Sequence, residues 1–186
     1  MLKMGNCILD SGSRSVFVDE NGKQLGQRDI QEDKGRFDLI PLDIVARYIE
    51  KRGVCREYAD VLRSIENYKT SKDYTYLEEA LVSFGMACNM SWYEMLDEVS
   101  LHYRDGARKY SEDNWRNGGL PVKSYLSSGV RHLCKFIDEQ NDEPHHRGFI
   151  WNILGALWTI ENRPELIDAP FDTFSCDEEQ NIAGGN

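Results

Sequence analysis

The run Asp142-Glu143-Pro144-His145-His146-Arg147-Gly148-Phe149-Ile150-Trp151-Asn152 sets two carboxylates and two imidazoles against the start of a strongly apolar segment. Carboxylate oxygens and imidazole nitrogens are the ligands of divalent metals, and cationic donors beside them suit phosphate oxygens. Pro144 fits a first helical turn, where its missing N–H costs nothing, and the acidic groups next to it face the positive end of the helix dipole. An ordinary acidic helix start has the same composition.

A second acidic group lies upstream. Glu94, Glu98, His102 and Asp105 are separated by steps of four, four and three, which stack them along one face of a helix. Glu139, Asp142 and Glu143 would be the facing contributor, with Glu139 and Asp142 at the i, i+3 spacing that aims two carboxylates at one point. Hard cations such as Mg²⁺ or Mn²⁺ take such oxygens, and helical bundles build their metal sites from side chains on facing helices. The alternative is a solvated acidic face with i, i+4 partners. Three basic groups could hold a triphosphate: Lys34-Gly35-Arg36, Arg108-Lys109-Tyr110 and Arg131-His132. Asn114-Trp115 offers a π face and an amide to a base, or else Trp115 plugs the end of a bundle. His145 can be read as metal ligand, phosphate donor or capped helix residue. Trp151 and Trp158, seven apart, read as core. No Walker loop, nucleophile elbow or His-Glu-x-x-His pattern is present.

These residues need elements to position them. Apolar positions recur at helical spacing from Pro41 onward: Leu42, Val45, Ala46, Ile49; Tyr58, Val61, Leu62, Ile65; Leu77, Ala80, Leu81, Phe84. Ser91-Trp92-Tyr93-Glu94 matches a capping box and opens a helix predicted to end near Gly106. Lys109 to Gly119 reads as a polar loop. Pro121 starts the next helix, and the last runs from about Pro144 to Asn162, apolar on most faces as suits a bundle or dimer core. Residues 1–40 read as an arm with one hairpin at Asn21-Gly22 and no strand-rich region. The expected fold is all-α: five or six helices over 41–163, an irregular N-terminal arm and a flexible acidic tail over 164–186.

The formal charge of −10 over 186 residues argues against capture of duplex nucleic acid, which rests on clustered Lys and Arg. A free nucleotide carrying its own cation is compatible. The five cysteines, Cys7, Cys55, Cys88, Cys134 and Cys176, have no paired zinc spacing. With no signal-like or membrane-length apolar run, the expectation is a reduced cytoplasmic protein.

Taken together, Arg28-Asp29-Ile30, Lys34 to Pro41, Gly106 to Tyr110, Asn114 to Gly118, Arg131-His132, Asp142 to His145 and Trp151-Asn152 resemble the bacteriophage and prophage dATP/dGTP diphosphohydrolase-like proteins, grouped with the MazG-like all-α nucleotide pyrophosphohydrolases. The resemblance runs in order from about residue 11 to 160. It implies Mg²⁺- or Mn²⁺-dependent hydrolysis of a purine deoxynucleoside triphosphate to monophosphate and pyrophosphate, in a homodimer or higher homo-oligomer. On it, Glu98 with His102 or Asp105 forms one acidic wall, and Asp142 with Glu143, aided by Glu139, the other. Lys34, Arg36, Lys109 and Arg131 hold phosphates, and Asn114 and Trp115 border the base. Tyr110, His132, His145 and Asn152 complete the nucleotide-contacting set, and Glu98 or Glu143 accepts a proton from the attacking water. Two departures stand out: the first acidic half is incomplete, and Gln140 occupies a position where relatives tend to carry an acid. Residues 53–90 read as an insertion. The departures keep two rivals open, a nucleotide binder without turnover and an inhibitory acidic protein on the same fold.

Overall fold

The computed structural model describes residues 7–10, 14–18, 24–29, 34–116 and 120–169. Six helices build the molecule's core, in keeping with the all-α expectation, and the arm is more regular than expected. Strands β1 (Cys7–Asp10), β2 (Arg14–Val18) and β3 (Gln24–Asp29) form an antiparallel sheet in the order β1-β2-β3. Cys7 lies opposite Phe17, Arg14 opposite Asp29, and the β2–β3 register shifts between Val16 and Val18. Strands this short give too few alternating positions to register as a periodic signal, whereas antiparallel neighbours need only a short connection. The expected turn at Asn21-Gly22 lies outside the described residues.

The arm reaches the bundle through a 3-10 turn, Phe37–Leu39, placed on the fifth helix. Helix α1 (Leu42–Lys51) buries Leu42 and Ala46, one turn apart. Helices α2 (Arg56–Ser71) and α3 (Thr75–Ala87) pack on each other through Leu62, Ile65, Leu77, Ala80 and Phe84. Lys72 ends α2 at a left-handed φ of 63°, and the Asp73 carboxylate accepts the Thr75 N–H at 3.0 Å as the next helix begins. Helix α4 (Trp92–Lys109) shows both halves of the capping box: Ser91 Oγ accepts the Glu94 N–H at 3.3 Å, and the Ser91 N–H donates to the Glu94 carboxylate at 2.7 Å. It runs past Gly106, its predicted end. A glycine costs a helix only about 1 kcal/mol, and the basic last turn, Arg108 and Lys109, favours the negative end of the dipole.

Helices α5 (Val122–Ile137) and α6 (His145–Asn162) are the most extensively packed pair. Pro121 and Pro144 are their N-caps. Helix α6 spends its apolar faces inside the chain, against α5, α4 and α3. The rings of Phe84 and Phe149 approach to 4.5 Å between centroids, and Tyr58 and Phe136 close the same cluster. Each ring buried there contributes roughly 1.5–3 kcal/mol of transfer free energy. Two small residues on α6 set its distance from α5. Gly148 lies under the His132 ring and Gly155 under the Tyr125 ring, so close that a Cβ would fall 2.6 and 2.5 Å from those rings. Beyond α6, Pro164–Leu166 form a 3-10 turn, Ile167 packs on the core, and Asp168 pairs with Lys72 at 3.0 Å.

Candidate active site

A cavity of about 570 Å³ opens between α4, α5 and α6, lined on one side by residues 110–115 and touched by Lys34 from the arm. Lys34 reaches it because the chain beside it is tied to α5: the Phe37 N–H donates to Ser127 Oγ at 3.0 Å. Arg36 makes a two-pronged contact with the buried Asp38 carboxylate, at 2.8 and 2.7 Å, which fixes the turn that follows. The aromatic wall comes from Tyr103, Tyr125, Trp115 and Trp151. Trp115 packs edge-on against Trp158 and Tyr103, with centroids 5.4 and 5.6 Å away, so it braces the bundle end and lines the cavity at once. Burial pushes the Tyr103 hydroxyl up to about 12 and draws the His102 imidazole below its ordinary value, so both are uncharged near neutrality.

At one end of this space three groups converge. His132 Nδ1 and His145 Nδ1 are 3.2 Å apart, and Glu143 Oε1 lies 3.6 and 3.5 Å from them. Both imidazoles are buried, His145 to 1% exposure, whereas the Glu143 side chain remains 44% exposed. His145 Nε2 must be the proton-bearing nitrogen, because its partner at 2.8 Å is the Asp142 carboxylate. That carboxylate is held by Lys135 at 2.7 Å, and the two donors lower its pKa to about 2, Lys135 contributing most. His132 Nε2 faces the Arg131 guanidinium at 3.5 Å, which can only donate. A single proton on His132 Nδ1, donated to His145 Nδ1, completes a consistent set of hydrogen bonds. Two imidazole nitrogens and a carboxylate oxygen in this arrangement can also hold a divalent ion.

Asn152 adds a second feature. It is 2% exposed, its amide N–H donates to the Gly148 carbonyl at 2.7 Å, and its Oδ1 has no hydrogen-bond partner among the described residues. Asn152 lines the cavity, and a buried acceptor without a donor costs about 1–3 kcal/mol unless a ligand or water supplies one.

The sequence-derived set divides among several places. Lys34, His102, Tyr110, Asn114, Trp115, Arg131, His132, Glu143 and Asn152 line the cavity, and His145 joins it through His132 and Glu143. Asp142 stands behind His145. Arg36 is engaged by Asp38, and Lys109 lies over the Tyr110 ring at 5.1 Å; neither lines the cavity. Glu94 is taken up by the capping box, and Glu139 is exposed just past α5 with φ of 54°. Gln140 is exposed too, donating to Asp138 at 2.9 Å. Of the first acidic wall, His102 lines the cavity with Glu143, whereas Glu98 does not and is bound by His146 Nε2 at 2.9 Å and Arg147 Nε at 2.6 Å. Tyr103, Tyr125, Ser128 and Trp151 are cavity residues that sequence reasoning missed or assigned to the core. For Tyr125 and Trp151 the apolar stripe was visible, but a stripe does not say whether a gap adjoins it.

Glu98 is thus the tie between α4 and the first turn of α6. The His146 hydrogen bond, followed by that of Arg147, holds its carboxyl below the ordinary value. We expect Glu98→Gln to lower stability by about 1–2 kcal/mol at neutral pH, a Tm loss on the order of 2–8 °C. A depressed carboxylate stabilises above its unfolded-state pKa, and that contribution disappears as pH falls through the folded value. The Tm difference between wild type and variant should therefore shrink below pH 4 to 5 (about the ordinary carboxylate range); an equal difference at all pH values would refute the assignment.

Fold and site together define an all-α bundle with an internal cavity that joins aromatic rings, cations, imidazoles and a carboxylate. The model of the family described as dATP/dGTP diphosphohydrolase, N-terminal, matches residues 85–169, somewhat under half of the chain. This stretch holds α4 to α6 and every described cavity residue except Lys34. The match supports the dATP/dGTP diphosphohydrolase resemblance, over a shorter span than residues 11 to 160, and does not bear on a phage origin or a MazG-like grouping. No curated protein and no solved structure gives a significant match. Among the described residues no helix is long and apolar enough to cross a membrane.

Proposed function

We propose that the chain is a metal-dependent pyrophosphohydrolase that cleaves a purine deoxynucleoside triphosphate, dATP or dGTP, to its monophosphate and pyrophosphate. The observation that carries this reading is the single cavity in which Lys34 and Arg131, the rings of Trp115 and Trp151, and Glu143 come together within reach of one ligand. Its volume falls in the range of small-molecule sites. The base would lie against the aromatic wall, with Asn114 or Asn152 supplying amide contacts; Asn152 Oδ1 can accept a donor that the described residues do not provide. Lys34 and Arg131 would neutralise phosphate oxygens. His102, kept neutral by burial, can donate a hydrogen bond without adding charge.

In the reaction, a water oxygen attacks the α phosphorus, the bond to the bridging oxygen breaks, and pyrophosphate leaves. Glu143 takes the proton of that water: it lines the cavity, whereas Glu98 is bound by His146 and Arg147 outside it. A divalent ion held beside Glu143 would neutralise phosphate charge and make the attacking water more acidic. The helical region 41–163 is the working domain in this reading and residues 1–40 an arm that delivers Lys34. The protein would act in the cytoplasm. A homodimer or higher assembly belongs to the reading as well, although α6 is already covered within the chain, so a second copy would use other surface.

The test is incubation with Mg²⁺ or Mn²⁺ and each dNTP and NTP separately, with products resolved by anion exchange. Monophosphate and pyrophosphate from dATP or dGTP are expected. Intact nucleotide under all conditions would refute hydrolysis and leave binding alone.

A further inference from the structure

We infer that His132 Nδ1, His145 Nδ1 and Glu143 Oε1 form the binding site of a divalent transition ion, such as Mn²⁺, Co²⁺ or Zn²⁺, in preference to Mg²⁺. The inference deepens the function proposed above, and rests on it only for the use of the ion, not for its binding. Ligand atoms placed about 2.0–2.2 Å from a shared ion in a tetrahedral arrangement lie roughly 3.3–3.6 Å from each other. The three observed separations are 3.2, 3.5 and 3.6 Å. Binding an ion at both Nδ1 atoms moves the His132 proton to Nε2, so the Arg131 guanidinium, which faces that nitrogen at 3.5 Å, must turn away as the ion enters.

The surroundings agree with this use. His145 donates its one ring proton, on Nε2, to Asp142, which Lys135 holds in turn, the outer support that orients a ligating imidazole. Gly148 leaves room for the His132 ring against α6. Independently, the unpartnered Oδ1 of Asn152, on the next turn from Gly148, marks the same cavity as one whose polar groups expect a ligand. Two nitrogen donors among three disfavour Mg²⁺, which takes oxygen ligands and keeps its waters, and favour ions of intermediate softness. With Oε1 on the ion, the second oxygen of the exposed Glu143 carboxylate is left to take the proton of a water that enters the open cavity.

The test uses the full chain, stripped of metal and titrated with Co²⁺ under visible absorption, with equilibrium dialysis as a second readout. One Co²⁺ per chain is expected, displaced by Zn²⁺ and not by Mg²⁺ in large excess. Glu143→Gln and His132→Gln should each weaken Co²⁺ binding by roughly a hundredfold or more, and Asp142→Asn by about tenfold to a hundredfold. Glu143 is exposed enough that its variant should keep the wild-type circular dichroism, so loss of binding there reports the ligand and not the fold. No Co²⁺ uptake by the folded wild type, or unchanged affinity in Glu143→Gln, would overturn the site. Co²⁺ binding without nucleotide hydrolysis would keep the site and remove the enzyme reading. Mg²⁺-driven hydrolysis at the wild-type rate in His132→Gln would do the reverse.

Discussion

Gly148→Ala should reduce turnover by about a hundredfold or more, the scale expected when a reacting group is displaced by about 1 Å. Helix propensity alone predicts the opposite sense for stability, because alanine in a helix interior is favoured over glycine by roughly 0.5–1 kcal/mol. The new methyl group, however, would stand 2.6 Å from His132 Nδ1 and 2.7 Å from its Cε1. The ring is 7% exposed and held between α5 and α6, so it can yield only by leaving His145 and Glu143. Overpacking of this kind costs about 1–3 kcal/mol, which outweighs the propensity gain. The variant should therefore melt below wild type as well as lose activity. A Tm at or above the wild-type value with full turnover would show that the close contact is dispensable.

Glu143→Gln separates chemistry from stability. It conserves shape, removes the charge and the proton acceptor at the cavity, and alters a side chain that is 44% exposed. Turnover should fall by about 10²- to 10⁴-fold, the usual contribution of a positioned base. Stability should stay within about 0.5 kcal/mol, as for other surface changes. Glu98→Gln should behave in the opposite way, losing stability while keeping most of its turnover, because Glu98 fastens α4 to α6 and does not face the cavity. Steady-state kinetics and melting curves on the two variants decide between the carboxylates. Equal loss of turnover in both would return Glu98 to the reaction.

The helices were legible because their faces repeat. Leu42 and Ala46, or Leu77, Ala80 and Phe84, carry a 3.6-residue period that survives any arrangement of neighbours. The capping box at Ser91 and Glu94 is equally local and was read correctly. In the arm, β2 and β3 pair on either side of the expected hairpin turn at Asn21-Gly22, whereas β1, four residues long, carries too little periodicity to be read. At the site, residue types were informative and pairings were not. His132, Glu143 and His145 each stood out, but the sequence grouped Glu143 with Glu98 across the bundle. A stacked row of acids gives no sign of which helix it will face. Glu98 met His146 and Arg147, 48 and 49 residues away, and those partners belong to the same basic run that had drawn attention for other reasons. Tyr125 and Trp151 looked like core because their chemistry is apolar, yet they line the cavity together with residues 110–115.

The spacing of the site along the chain sets an order of assembly. His132 and His145 are 13 residues apart and meet as soon as α5 and α6 close on their short connection. Closing so small a loop costs little entropy, and the helices that bear the two rings are among the first long-range partners the chain can form. Lys34 depends instead on contacts between the arm and Ser127 that span about ninety residues. During refolding the imidazole pair should thus be in place while the lysine is still free in solution, and the cavity would acquire its cation from the arm only as a late event.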